Sequence, residues 1–245
     1  MHPADVMIKA MAMEIGDNDM FLHGLASPLP ALAMHLAKSS HAPNMVYLNV
    51  ADALDPDPNN YKLCLSSADP RHAVNSIGII ELLEIFDLAA KGKLTGMFLG
   101  GAQIDPKGNI NLTCIGDYYS PKVKLPGGAA AAYLTTIVKK LIIWTTNHSK
   151  RVFVEKLDFV TGLGFEEGKD KEVTVITNMA VFKVSDEGFV LKSIHPDVSV
   201  EDVVNNMSFK PVVKEVETTP TPSEKELKLI DKLDPDGVRF SEFKK

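Results

Sequence analysis

Residues 98–132 read FLGGAQIDPKGNINLTCIGDYYSPKVKLPGGAAAA. An apolar run, Met97-Phe98-Leu99, stops on Gly100-Gly101, polar turn residues follow, and a second pair, Gly127-Gly128, precedes a run of alanines. Glycine takes up positive φ and lets a backbone approach a ligand closely. A glycine pair entering a helix leaves N–H groups facing outward, a setting that suits an anion or a developing oxyanion. A single Gly-Gly is more often an ordinary tight turn at a strand end. Two such pairs bracketing one polar unit make it the candidate centre of the chain.

Upstream, Ala4 to Ile15 has helical apolar spacing at Val6, Met7, Ala10, Met11 and Met13, ended by Asp17-Asn18. Met20 to Leu22 reads as a short strand, Gly24-Leu25-Ala26-Ser27-Pro28 as a turn, and the following apolar run as a helix to about Lys38, with Ser27 as N-cap and Pro28 at the first helical position. Met45 to Val50 is a second strand whose exit, Asn49-Val50-Ala51-Asp52-Ala53, is small and polar. After a proline-stiffened loop, Ile79 to Ala90 predicts a helix with Ile80, Leu83 and Phe86 inward and Glu81, Glu84 and Asp87 opposite, and Leu94 to Leu99 a strand. Strands alternating with helices at short connections predict an α/β fold with a mostly parallel sheet. Ligands gather at the carboxyl ends of such strands, so the turns at Gly24, Asn49 and Gly100 are expected to share one cleft.

Downstream, the pattern predicts a helix over 128–138 and strands at Leu141 to Thr145, Arg151 to Val154 and Val173 to Ile176. Phe182 to Leu191, broken at Asp186-Glu187-Gly188, predicts a hairpin. A connector at 218–222 leads to a last helix from about Ser223 to Leu233, where Ser223 and Glu226 form a capping box.

The chain of 245 residues is 45% apolar, enough for one substantial core. Its formal net charge of −6 offers no basic field for nucleic acid or an anionic membrane. No apolar run approaches the length of a membrane span and the N-terminus lacks a signal layout, so a cytoplasmic protein is expected. Two cysteines, Cys64 and Cys114, are expected to be free thiols. The seven histidines are scattered without metal-ligand spacing, and Asp55-Pro-Asp57-Pro-Asn59 lacks the glycine and glutamate of a calcium loop, so no metal is expected. A nucleotide-binding module built on Gly100-Gly101 is disfavoured because the GxGxxG spacing is absent.

The wording GGAQID, then GNINLTCIGDY, Pro-Lys and a GGA turn closely resembles the β subunit of family I CoA-transferases, most nearly glutaconate CoA-transferase. Lys150 to Thr161, Asn178 to Val181 and Ile194-His195-Pro196 resemble later segments of the same family, so the resemblance covers most of the chain. It implies an αβα sandwich over residues 1–217, with residues 218–245 as a connector and C-terminal helix packing on the same domain. It also implies acyl-CoA as substrate and an α-type partner chain in a heterodimer or heterotetramer. By the same resemblance, the Gly127-Gly128 turn presents a backbone N–H to the thioester carbonyl, and Gly100, Gly101 and Gln103 shape the cleft floor. Lys122 and Lys124 are weaker candidates for CoA phosphates.

The family nucleophile is a β-chain glutamate at the end of the second strand. Here that place reads Tyr47-Leu48-Asn49-Val50-Ala51-Asp52, with Asn49 or Val50 at the glutamate position, or Asp52 if the match slips by two. Neither an amide nor an alkyl side chain forms an acyl anhydride. The resemblance therefore leaves three chemistries open. They are ordinary CoA transfer, the decarboxylase branch that carries a cysteine at this place, and the ring-cleaving hydrolase branch with its essential glutamate on the α chain. Another class is a non-catalytic subunit supporting an active partner.

Overall fold

The computed structural model describes residues 1–50, 52–66 and 69–243. The chain forms two compact units, Met1–Phe98 with Pro220–Lys245, and Leu99–Thr219.

The first unit opens with α1 (Pro3–Met13), where His2 Nδ1 accepts the Ala4 N–H and Pro3 occupies a position whose N–H would have no helical partner. β1 (Met20–His23), α2 (Pro28–Lys38), β2 (Val46–Asn49), β3 (Ala53–Leu54), β4 (Gly78–Ile79), α3 (Leu82–Ala90) and β5 (Gly96–Gly100) follow. β1 runs parallel to both β2 and β5, and β3 and β4 add antiparallel beyond β2. α2 is buried from Pro28 through Ala37, which explains its lack of a polar face. Gly96 is required on β5 because the Phe21 ring occupies the place of a Cβ.

Two local expectations change in this unit. Ser27 does not cap α2; its hydroxyl donates to the Leu25 carbonyl, and Pro28 and Pro30 remove two of the first-turn donors a cap would serve. α3 starts at Leu82 because Ile79 pairs with Ala53 in the sheet. Its buried side is Ile85 and Ala89, while Leu83 is 77% exposed.

In the second unit, β6 (Gln103–Ile104) pairs with β7 (Ile110–Asn111) and β8 (Cys114–Gly116) with β9 (Pro121–Lys124), both antiparallel. α4 (Ala131–Leu134) is a single turn where 128–138 was expected. The hydroxyls of Thr135 and Thr136 bond back to the Ala131 and Tyr133 carbonyls, and the β-branched run that follows resists helix propagation. β10 (Lys140–Thr145), β11 (Glu172–Thr177), β12 (Ala180–Ser185), β13 (Gly188–Ile194), α5 (Val200–Asn205) and β14 (Val212–Thr218) complete the unit. β10 and β11 are parallel, as are β13 and β14; β12 is antiparallel to both its neighbours. The β12–β13 hairpin turns at Gly188, φ 102°, as expected. Arg151 to Val154 is not a strand: Phe153 makes one bridge to Ile104, and the Val152 and Phe153 N–H groups turn back to the Ser149 carbonyl. Gly164 is packed so tightly on the backbone of Lys107 and Gly108 that no Cβ fits.

The chain then returns to the first unit through α6 (Glu224–Leu233), whose Ser223–Glu226 capping box is fully formed. Beyond it, buried Arg239 donates to Asp5 Oδ1 (2.9 Å), Asp234 Oδ2 (3.0 Å) and Asp231 Oδ1 (2.6 Å). The α/β class is the expected one, with β1, β2 and β5 as its parallel centre.

His148 and His195 are buried around β11, where His148 Nε2 donates to the Val203 carbonyl and His195 Nε2 to the Thr177 carbonyl. Burial lowers both pKa values from 6.5 to about 4. The unfolded chain therefore binds more protons between those two values, so these groups cost no stability above pH 6.5 and lower it as pH falls towards about 4. The urea midpoint is expected to decline across that window, and a flat midpoint would contradict the buried neutral state.

Candidate active site

In the first unit the candidate site residues stand where parallel β1 and β2 end. Asn49 closes β2 with its side chain 0% exposed, Val50 is half-buried, and Asp52 is exposed. Ala51 lies outside the described residues. The Asn49 side chain is turned into the unit, where its Nδ2 reaches the Tyr47 hydroxyl at 3.4 Å. That hydroxyl lies 2.9 Å from His23 Nε2, and His23 Nδ1 lies 2.9 Å from the Gly24 carbonyl. The His35 ring packs on Tyr47 and on Tyr61, and Tyr61 stacks on His72, so histidines scattered in the sequence are gathered by the fold. Burial keeps the His23 and His35 imidazoles neutral, lowering His23 to about 4 and His35 to about 3. Among the described residues, no group of three His, Cys, Asp or Glu side chains is arranged to hold a metal.

The second unit carries the glycine pairs. Gly101 is pressed on Ile104, where a Cβ would lie 3.0 Å from Cγ1, while a Cβ at Gly100 would make only ordinary contact with the Trp144 carbonyl oxygen at 4.0 Å. Gln103 faces inward: its Nε2 donates to Asp158 Oδ2 at 3.1 Å, and its Oε1 accepts from Asn111 Nδ2 at 2.8 Å and from the Asp158 N–H at 3.1 Å. It braces β6 against β7 and the 158 segment. Gly127 needs its glycine, with φ 96°, and its N–H donates to the Leu112 carbonyl at 2.7 Å. The Gly128 N–H donates to no acceptor among the described residues. The turn is held from behind by Thr161, whose Oγ1 accepts the Leu112 N–H at 2.9 Å and lies 2.7 Å from the Thr113 hydroxyl. Lys122 and Lys124 are exposed on β9.

Backbone strain collects at these turns. Of the six described non-glycine residues with positive φ, Ala26 (48°) follows β1, Asp52 (60°) follows β2, Asp55 (48°) follows β3 and Ala129 (39°) follows the second glycine pair. Each such conformation costs about 1 kcal/mol and persists only where the surroundings over-determine it. Thr161, Asp158, Tyr47 and His23 are the supporting residues that sequence reasoning did not nominate. The one available signal was the run of hydrogen-bonding side chains in GNINLT and LDFVT, which carry no mark of their own until strands are paired.

The sequence model of the family described as Coenzyme A transferase matches residues 5–206. The chain is 31% identical to the β-type chain of 3-oxoadipate CoA-transferase from Pseudomonas knackmussii, over 94% of this chain and 92% of that one. It is 30% identical to the cholesterol ring-cleaving hydrolase IpdB subunit of Rhodococcus jostii, over 67% of this chain and 69% of that one. Among solved structures, that of the decarboxylase AibA/AibB superposes with a TM-score of 0.90 at 29% identity, over 98% of both chains.

Proposed function

The chain belongs to the coenzyme A transferase family as a β-type subunit, and from that premise we propose that it works in a heteromeric enzyme on an acyl-CoA thioester, completed by an α-type partner chain. The observation that carries this reading is the glycine turn: Gly127 uses its N–H on Leu112, and the Gly128 N–H, which has no acceptor among the described residues, is the donor we assign to the thioester carbonyl oxygen. A donor so placed commonly stabilises the developing oxyanion by about 3 kcal/mol. Gly100 and Gly101 shape the wall beside it, and Gln103 supports that wall from within. No helix among the described residues is long and apolar enough to cross a membrane, and we place the enzyme in the cytoplasm.

The second strand end decides the chemistry. In the transfer route a carboxylate attacks the thioester carbonyl and expels CoA thiolate, which then attacks the enzyme-side carbonyl of the mixed anhydride, releasing the acyl group as a free carboxylate and leaving CoA on the enzyme as a thioester. Asn49 is an amide and is buried, and Val50 is an alkyl group, so neither can begin that route. Asp52 is the exposed carboxylate of this turn. We place the essential acid on the partner chain, with water or a proton as acceptor. Relatives named as a ring-cleaving hydrolase and as a decarboxylase support it. A supporting, non-catalytic role is the second reading, favoured by the same burial of Asn49; in it the active partner supplies every reacting group and this chain keeps the fold that supports it.

Trapping tests the assignment. The complex with its α-type chain, incubated with acyl-CoA, reduced with borohydride and digested, is expected to show no modified peptide from this chain while product accumulates. A modification on the peptide containing Asp52 would restore ordinary CoA transfer and remove the proposal.

A further inference from the structure

His23 and Asn49 stand side by side in the register of parallel β1 and β2, and Tyr47 lies two residues before Asn49 on the same face of its strand. All three side chains are fully buried. Their hydrogen bonds have a single consistent direction. A carbonyl only accepts, so His23 donates from Nδ1 to Gly24, and the neutral ring leaves Nε2 as an acceptor. The Tyr47 hydroxyl therefore donates to Nε2, and its oxygen takes the Asn49 Nδ2–H.

One end of this chain of bonds grips the turn after β1, and the other grips the residue that leads into the turn after β2. Tyr47 also ties β2 to the residue just past β3 and so closes the hairpin around the second turn. Its N–H donates to Asp55 Oδ1 (2.8 Å), the Asp55 N–H donates to its carbonyl (2.8 Å), and Lys38 pairs with Asp55 at 3.0 Å. The strained residues Ala26 and Asp52 lie in the two turns so gripped, and Asp55 follows β3 just beyond the second. The His23 and His35 rings both meet the Tyr47 ring edge-on, with centroids 5.5 and 5.0 Å away.

We propose that His23, Tyr47 and Asn49 form a positioning relay that holds the turns after β1 and β2 in mutual register and so sets the acyl-CoA-facing end of the first unit. The inference rests on the acyl-CoA reading and deepens it. Asn49, one of the residues at the strand end where the resemblance expects the family nucleophile, acts from below, on the turn rather than on substrate. The relay joins two turns that are 26 residues apart in the sequence, from His23 to Asn49, through one phenol.

The test removes single atoms. In the complex with its partner, Tyr47→Phe keeps the ring and deletes the hydroxyl. It is expected to lower kcat about tenfold, in line with the cost of small misplacements in an organised site, with KM for acyl-CoA held within about twofold. His23→Gln, which offers an acceptor near the Nε2 position, is expected to retain more of kcat than His23→Leu. Independently of substrate, nitrogen NMR of the full chain is expected to show His23 as the Nδ1–H tautomer, and Tyr47→Phe is expected to shift the Asn49 side-chain amide. An Nε2–H tautomer, or an Asn49 amide that does not move, overturns the relay whatever the activity. A shifted amide with unchanged kcat overturns its role in positioning. A complex that binds no acyl-CoA while both NMR signatures are present overturns the acyl-CoA reading, and this role with it, and leaves the bonding pattern standing.

Discussion

Gly128→Val is expected to abolish acyl-CoA turnover, by two to three orders of magnitude (~10²–10³), while the chain still folds. A Cβ at this position would lie 3.0 Å from Thr161 Cγ2 and 3.9 Å from Ala132 Cβ, so the branched side chain meets atoms that can give only by tilting the turn. Tilting misdirects the Gly128 N–H and presses on Thr161, which holds the Leu112 N–H. Gly128→Ala should fall between wild type and Val, because the contact it adds is tight but single. The check is kcat beside thermal midpoint: a wild-type rate in the valine variant would remove the oxyanion role. A collapsed midpoint in the alanine variant would show that the position matters for packing instead.

Arg239→Met should be the most destabilising single change in the first unit. Arg239 is 6% exposed, and it is the cation facing Asp5 and Asp234, which are 7% and 2% exposed. Removing one member of a buried ion cluster leaves carboxylates uncompensated, at a cost of about 3–5 kcal/mol. For a chain of this size that corresponds to a fall in Tm of roughly 10 °C. Thermal unfolding by circular dichroism decides it, and a shift below about 2 °C would mean that the cluster relaxes or hydrates freely. Asp231 is far more exposed than the other two carboxylates, so Asp231→Asn should have a small effect by comparison.

What could be read in the sequence depended on how local its cause was. β1, β2, β5, β10 and β11 announce themselves as apolar runs between breakers, and α6 by a capping box whose members are three residues apart. The wording of residues 98–132 was enough to indicate the family. β3 and β4 are two residues each and have no period to detect. α3 was set off-register by a residue lent to the sheet, and α4 was cut short by threonines whose hydroxyls prefer the preceding carbonyls. The supports of the candidate site were hidden for another reason. Thr161 reaches Leu112 across 49 residues and Asp158 reaches Gln103 across 55, distances over which no sequence pattern operates. The inward Asn49 side chain likewise meets the Tyr47 hydroxyl, which lies against His23, a residue whose position in the sequence gave no reason to connect them.

The first unit is discontinuous: its opening residues, Met1–Phe98, wait for Pro220–Lys245 to complete them. During synthesis the second unit, an uninterrupted segment, is complete and free to fold while α1 still lacks α6 and Asp5 still lacks Arg239, 234 positions away. Closing so long a loop is among the slowest contacts a chain can make. A ribosome that stalls before Arg239 would therefore release a protein whose first unit lacks the cation shared by Asp5 and Asp234 and stays open to proteases.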